Sequence, residues 1–104
     1  MPDPGNHSLT EALRHGGVRR NDVLNRFELE VDGDTATAAF RIEGGVMNFT
    51  STQCPANLRE KGIATRLIKG ALEAAREEKF KVTASCSFVA NFLSRHPEFS
   101  DLTG

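Results

Sequence analysis

Two places in this sequence carry residue types that could do chemistry. The first is Leu58-Arg59-Glu60-Lys61-Gly62-Ile63-Ala64-Thr65-Arg66-Leu67. A strand-like run over residues 46–52 leads through Cys54-Pro55 into this stretch, and Ile63, Leu67, Ile68, Ala71, Leu72 and Ala75 then recur at helical spacing. A strand, a tight loop and a helix N-terminus together bind anions, because the first N–H groups of a helix lack internal acceptors and its dipole is positive there. Gly62 lets the backbone come close to a phosphate. The second place is Cys86, at the end of a strand-like stretch and just before a helical pattern of Phe88, Val89, Phe92 and Leu93. A helix dipole beside a thiol stabilises its thiolate and makes it a nucleophile; a free cysteine is equally at home as a small buried filler. A loop of the form Arg-x-x-Gly-x-Ala is likewise compatible with a plain structural corner, since any strand-loop-helix needs a small residue near its bend.

The elements that must position these residues follow from the chain as a whole. Its 104 residues fit one domain, with 38% hydrophobic and 26% charged residues and a core to be built from Leu, Ile, Val, Ala and seven Phe. A net charge of −1 gives no general field for nucleic acid or an anionic membrane, so any anion affinity must be local. Cys54 and Cys86 are too few for a disulfide framework and read as free thiols, and the scattered His7, His15 and His96 form no metal-ligand pattern. No run reaches the roughly 18 apolar residues of a membrane span, and the N-terminus lacks a signal peptide's apolar core, so a cytoplasmic protein is expected.

Residues 1–17 read as a partly ordered N-terminal tail, with a capping-box pattern at Ser8-Leu9-Thr10-Glu11, and residues 18–104 as the folded domain. Phe27, Leu29 and Val31 alternate with Glu28, Glu30 and Asp32, the pattern of a strand with one buried face. Asp32-Gly33-Asp34 and Glu43-Gly44-Gly45 are tight-turn signals, giving an antiparallel meander of three strands before the loop. A helix over about 62–78 follows, with Gly70 inside it marking either close packing or local weakness. Phe80-Lys81-Val82 starts a strand that a helical crossover would set parallel to residues 46–52. The expected fold is therefore a mixed α/β sheet: an antiparallel meander, a parallel β-α-β unit and a C-terminal helix, with a ligand site where the parallel strands splay.

Arg59, Gly62 and Ala64 stand at the spacing of the pyrophosphate-loop signature of GNAT-type acetyltransferases. Further stretches match in order: Asn25-Arg26-Phe27-Glu28-Leu29, Ala71-Leu72-Glu73-Ala74-Ala75-Arg76, Lys81-Val82, Cys86-Ser87-Phe88-Val89 and Arg95-His96-Pro97-Glu98-Phe99. Over roughly residues 21–102 the sequence resembles the short single-domain GNAT-like acetyltransferases. The resemblance implies acetyl-CoA as cosubstrate, no metal, and transfer of acetyl to an amine on a small molecule or a protein, in a monomer or homodimer.

It also implies roles for particular residues. Arg59, Lys61, Gly62, Ile63, Ala64, Thr65 and Arg66 would hold the pyrophosphate, with the N–H groups of roughly Lys61 to Ala64 nearest to it and Lys69 as a further cation that could equally be solvated. Cys86 would stand beside the acetyl group, so that transfer runs either directly to a neutral amine or through an acetylated Cys86. Cys54 reads as packing, and His96 as a base or part of a packed C-terminal lock. The sequence departs from the family at Ser51-Thr52-Gln53-Cys54-Pro55, where His-Thr-Glu-Val-Pro is usual, at Glu60 for Gly, at Ala84 and Ser87 for prolines, and at Phe40 and Phe99 for tyrosines. Two other functions stay open: a CoA-binding module without turnover, and a structural or partner-binding domain.

Overall fold

A computed structural model describes residues 16–103; the capping-box pattern at Ser8 to Glu11 lies outside them. The sheet has five strands in sequence order: β1 (Arg19–Asn21), β2 (Arg26–Val31), β3 (Asp34–Glu43), β4 (Val46–Gln53) and β5 (Lys81–Ala84). All neighbours are antiparallel except β4 and β5, which are parallel with Val46 opposite Lys81 and Phe49 opposite Ala84. The helices are α1 (Ala56–Arg59), α2 (Ile63–Glu77), α3 (Ser87–Arg95) and, after a 3-10 turn at Pro97–Phe99, α4 (Ser100–Thr103).

Both hairpins form at the expected turns. Asp32 and Gly33 take φ of 54° and 83°, and Gly44 and Gly45 take 56° and 79°, so each turn has two positive-φ residues as a two-residue hairpin requires. The meander has four strands where three are expected. The extra strand β1 is three residues long, too short to show alternation; Val18 just before it is 1% exposed and anchors it to the core.

Alternation along β2, β3 and β4 puts Phe27, Leu29, Ala36, Ala38, Phe40, Met47 and Phe49 on one face. Phe27, Phe40 and Phe49 cluster there, with ring centroids 5.2, 6.0 and 6.5 Å apart. Helix α2 lies over this face, touching β2, β3, β4 and β5. Its buried stripe holds the six expected residues and also Ala64, Gly70 and Ala74. Leu67, Ile68 and Leu72 are fully enclosed, and burial of each stabilises the fold by roughly 1.5–3 kcal/mol.

Helix α2 ends in a Schellman motif: Phe80 N–H donates to Ala75 O at 2.9 Å and Lys79 N–H to Arg76 O at 3.0 Å. Lys79 takes the left-handed position with φ of 63°. The chain then enters β5, and Val89, Phe92, Phe99 and Leu102 of the C-terminal segment join the same core. The Arg76 guanidinium donates to both Asp101 carboxylate oxygens and to Glu98 O, fastening that segment to α2.

Candidate functional site

The loop before α2 is more ordered than a simple bend. Pro55 caps a single helical turn, α1, in which Leu58 and Arg59 N–H both donate to Pro55 O, at 2.9 and 3.0 Å. Leu58 is wholly buried and pins that turn to the core. Lys61 N–H then donates to Leu58 O and Gly62 N–H to Arg59 O, each at 3.1 Å. Gly62 has φ of 71°, and a Cβ there would meet no atom within 4 Å. Glycine is favoured by this backbone conformation, and the space beside it is clear.

The sequence reading expects the anion at the N–H groups of roughly Lys61 to Ala64. The structure moves that set along the chain, because the N–H groups of Lys61 and Gly62 already have carbonyl acceptors. Ile63, Ala64 and Thr65 open α2, and among the described residues their N–H groups have neither a backbone acceptor nor a side-chain cap. They are the free donors of this helix N-terminus, which suits a phosphate.

The basic side chains around the loop are engaged elsewhere. Arg59 Nε donates to Cys54 O at 2.9 Å, bracing the end of β4 against α1. Lys61 Nζ pairs with Asp32 at 2.9 Å on the β2–β3 hairpin. Arg66 donates to Gly16 O at 2.9 Å. Lys69 is exposed and shares a recess of about 220 Å³ with Gly16, Arg66, Gly70 and Glu73 on the outer side of α2. Of these four cations, Arg59 alone lines the main cleft.

That cleft measures about 570 Å³ and is lined by Thr35, Thr52, Gln53, Cys54, Pro55, Arg59, Ala64 and Phe88. It runs from the N-terminus of α2 to the first turn of α3, over the C-terminal end of β4. The parallel strands part next to it. Ser85 and Cys86 N–H both donate to Phe49 O, at 2.9 and 3.2 Å. Beyond Phe49, β4 continues beside β3 alone, with Ser51, Thr52 and Gln53 opposite Ala39, Ala38 and Thr37.

A β-bulge reorients this end of β4. Phe49 faces Phe40 and Ser51 faces Ala39, which leaves Thr50 as the extra residue. Strict alternation from Met47 and Phe49 would turn Ser51 toward the helices. With one residue inserted, Thr52 takes that face instead, opposite buried Ala38. The Thr52 hydroxyl meets the Cys86 sulfur at 3.4 Å.

Cys86 is the N-cap residue of α3, half-buried, with extended φ and ψ of −80° and 126°. Burial pushes its thiol up, but the Thr52 hydroxyl, the Val89 and Phe88 N–H groups and the Thr52 backbone together bring it below the ordinary thiol value. No formed side-chain cap closes the helix; the N–H groups face the sulfur without ideal hydrogen-bond geometry.

One further expectation changes, and for His96 one of the two readings is favoured. Phe88 is not a core residue of α3: it is 39% exposed and lines the cleft, while Val89 and Phe92 carry the packing. His96 stands outside the cleft, stacked on Phe92 at 3.9 Å between centroids, with Nδ1 3.1 Å from a Glu98 carboxylate oxygen. It belongs to the packed C-terminal lock. Cys54 packs against the core, as its position suggests, and also lines the cleft. Thr52 escaped the sequence reading because nothing in the residue types marks the bulge at Thr50.

Comparison with known proteins identifies the fold. The profile of the GCN5-related N-acetyl-transferase family matches residues 26–102, three quarters of the chain. A GCN5-like protein from Staphylococcus aureus, solved in solution by NMR, superposes with a TM-score of 0.65 at 26% identity, over 82% of this chain and 84% of that one. The five-stranded mixed sheet with its helices thus matches a known fold, and this chain belongs to the GCN5-related N-acetyltransferase family.

Proposed function

We propose that the chain is an acetyl-CoA-dependent N-acetyltransferase acting on an amine. The observation that carries this reading is the single cleft joining the α2 N-terminus at Ala64 to Thr52 and Phe88, the neighbours of Cys86. Acetyl-CoA would supply an activated thioester. The fit rests on Gly62: its left-handed backbone aims Ile63, Ala64 and Thr65 N–H outward, and the space beside it is open. Those donors would bind the pyrophosphate, and the unpaired edge of β4 at residues 51–53 would hold a pantetheine arm in the manner of an added strand.

Two routes remain for the residues at the far end. In one, Cys86 acts as the nucleophile and passes the acetyl group on, for which its depressed thiol pKa is suitable. In the other, a neutral amine attacks directly and a backbone N–H steadies the developing oxyanion. A small amine and a protein amino group are both compatible with so open a site.

Titration calorimetry with acetyl-CoA and with CoA, repeated on Gly62→Asp, tests the reading. The expected result is micromolar binding, about −8 kcal/mol, lost in the variant because a carboxylate then faces the pyrophosphate. No binding of either ligand to the folded wild-type chain overturns it. Intact-mass measurement after mixing with acetyl-CoA separates the routes: a stable or transient gain of one acetyl group, absent in Cys86→Ala, marks the covalent one.

A further inference from the structure

We propose that Thr52 is a positioning residue for Cys86, holding its sulfur by a hydrogen bond beside the end of the cleft. This deepens the reading of Cys86 as the group beside the acetyl carbon and rests on it. Three observations support it. The Thr52 hydroxyl lies 3.4 Å from the Cys86 sulfur, between elements 34 residues apart in the chain. Thr52 reaches that side of the sheet because Thr50 bulges out of register; without the bulge Ser51 would occupy the position. Thr52 also lines the cleft itself, and Cys86 beside it is half-buried, so the pair is not sealed in the core.

The chemistry is that of a donor to an anion. A hydroxyl that donates to sulfur favours the thiolate over the thiol, and the α3 N–H groups of Val89 and Phe88 act in the same sense. Among the described residues Arg59 is the charged side chain lining the cleft, turned to Cys54 O, and no carboxylate of theirs lines it. His96, the histidine among the described residues that lie C-terminal to Cys86, is stacked on Phe92 in the C-terminal lock. The thiol proton therefore passes to solvent in the open cleft, and the hydroxyl, uncharged throughout, stabilises what remains.

The pH dependence of iodoacetamide alkylation, read by peptide mass spectrometry at Cys86 with Cys54 as internal reference, tests this without acetyl-CoA. In that reaction the thiolate forms a carbon–sulfur bond and iodide leaves. For Thr52→Val the Cys86 profile should move to higher pH, with the rate at neutral pH reduced about two- to ten-fold, while Cys54 stays unchanged and Thr52→Ser keeps the wild-type profile. A Thr52→Val profile that superimposes on the wild type overturns the proposal, as does a Thr52→Ser shift equal to that of Thr52→Val. Should Thr52→Val fail to fold by circular dichroism, Thr52→Ala gives the same reading. Failure of acetyl-CoA binding would count against the proposed function and leave this outcome standing.

Discussion

Lys61 Nζ sits 2.9 Å from an Asp32 carboxylate oxygen, joining the loop before α2 to the tip of the β2–β3 hairpin. Both side chains are more than half exposed, so the pair contributes under about 1 kcal/mol to stability. Its consequence lies in the site. Lys61 must leave Asp32 to meet a phosphate, and the pair opposes that move.

Asp32→Asn should therefore change thermal stability little and tighten acetyl-CoA binding by about two-fold, within the range of a surface ion pair. Asparagine suits the test because it tolerates the positive φ of 54° at this position. Calorimetry at low and at high salt checks the account, since the gain should shrink as screening rises. Weaker binding in the variant would show that Asp32 orders the loop instead of competing for its lysine.

The fold was legible where residue type dictates backbone conformation. Asp32-Gly33 and Gly44-Gly45 announce two-residue turns, and the apolar repeat from Ile63 to Ala75 announces α2. The site was legible only as far as the loop and Cys86. The bulge at Thr50 depends on how β3 and β4 pair, which no local pattern encodes, and it decides which hydroxyl faces the sulfur. Of the expected donors Lys61 to Ala64, the first two are engaged and Thr65 joins Ile63 and Ala64 for a similar reason. The turn α1 was hidden behind Pro55, and its carbonyls take the first two N–H groups. The cations near the loop were assigned to the phosphate through the resemblance to the family's loop, which says nothing of their partners Cys54, Asp32 and Gly16 elsewhere in the fold.

Lys79 holds the left-handed position that ends α2, with φ of 63° and its side chain exposed. A non-glycine residue there carries a Cβ penalty that glycine avoids. Lys79→Gly should stabilise the chain by about 0.5–1 kcal/mol, measured by urea unfolding with an unchanged m-value. No gain would mean that the lysine makes a compensating contact in solution.

Leu67 is fully buried under α2, in contact with the core that carries the sheet face. Leu67→Ala should destabilise by about 2–5 kcal/mol and leave m unchanged. A much smaller loss would indicate that the helix settles onto the sheet to close the cavity.

The C-terminal segment should loosen in acid before the sheet does. Arg76 donates to Asp101 at 2.7 and 3.1 Å, and this hydrogen bonding, then the guanidinium charge, holds the Asp101 carboxyl below its ordinary value. The folded-state pKa is the lower one, so the contribution to stability is complete above the unfolded value of about 4. It is lost as pH falls through the folded value. Arg76→Gln should flatten that part of the pH–stability curve, and Asp101→Asn should do the same with no further loss on combining the two. Additive losses in the double variant would refute the pairing.

Gly62 allows its backbone role and its ligand role to be told apart. Gly62→Ala adds a methyl group where no atom lies within 4 Å, so no clash arises, but the left-handed φ of 71° becomes strained. The expected loss is about 1–2 kcal/mol in stability, with weakened binding only to the extent that the loop relaxes toward negative φ. Gly62→Asp carries the same strain together with a negative charge beside the free N–H groups of α2. If both variants lose the same stability and only aspartate abolishes binding of acetyl-CoA, the loop is an anion site; if both lose binding equally, the glycine matters for its conformation alone. Equal binding in the wild type and Gly62→Asp would remove the phosphate from this loop altogether.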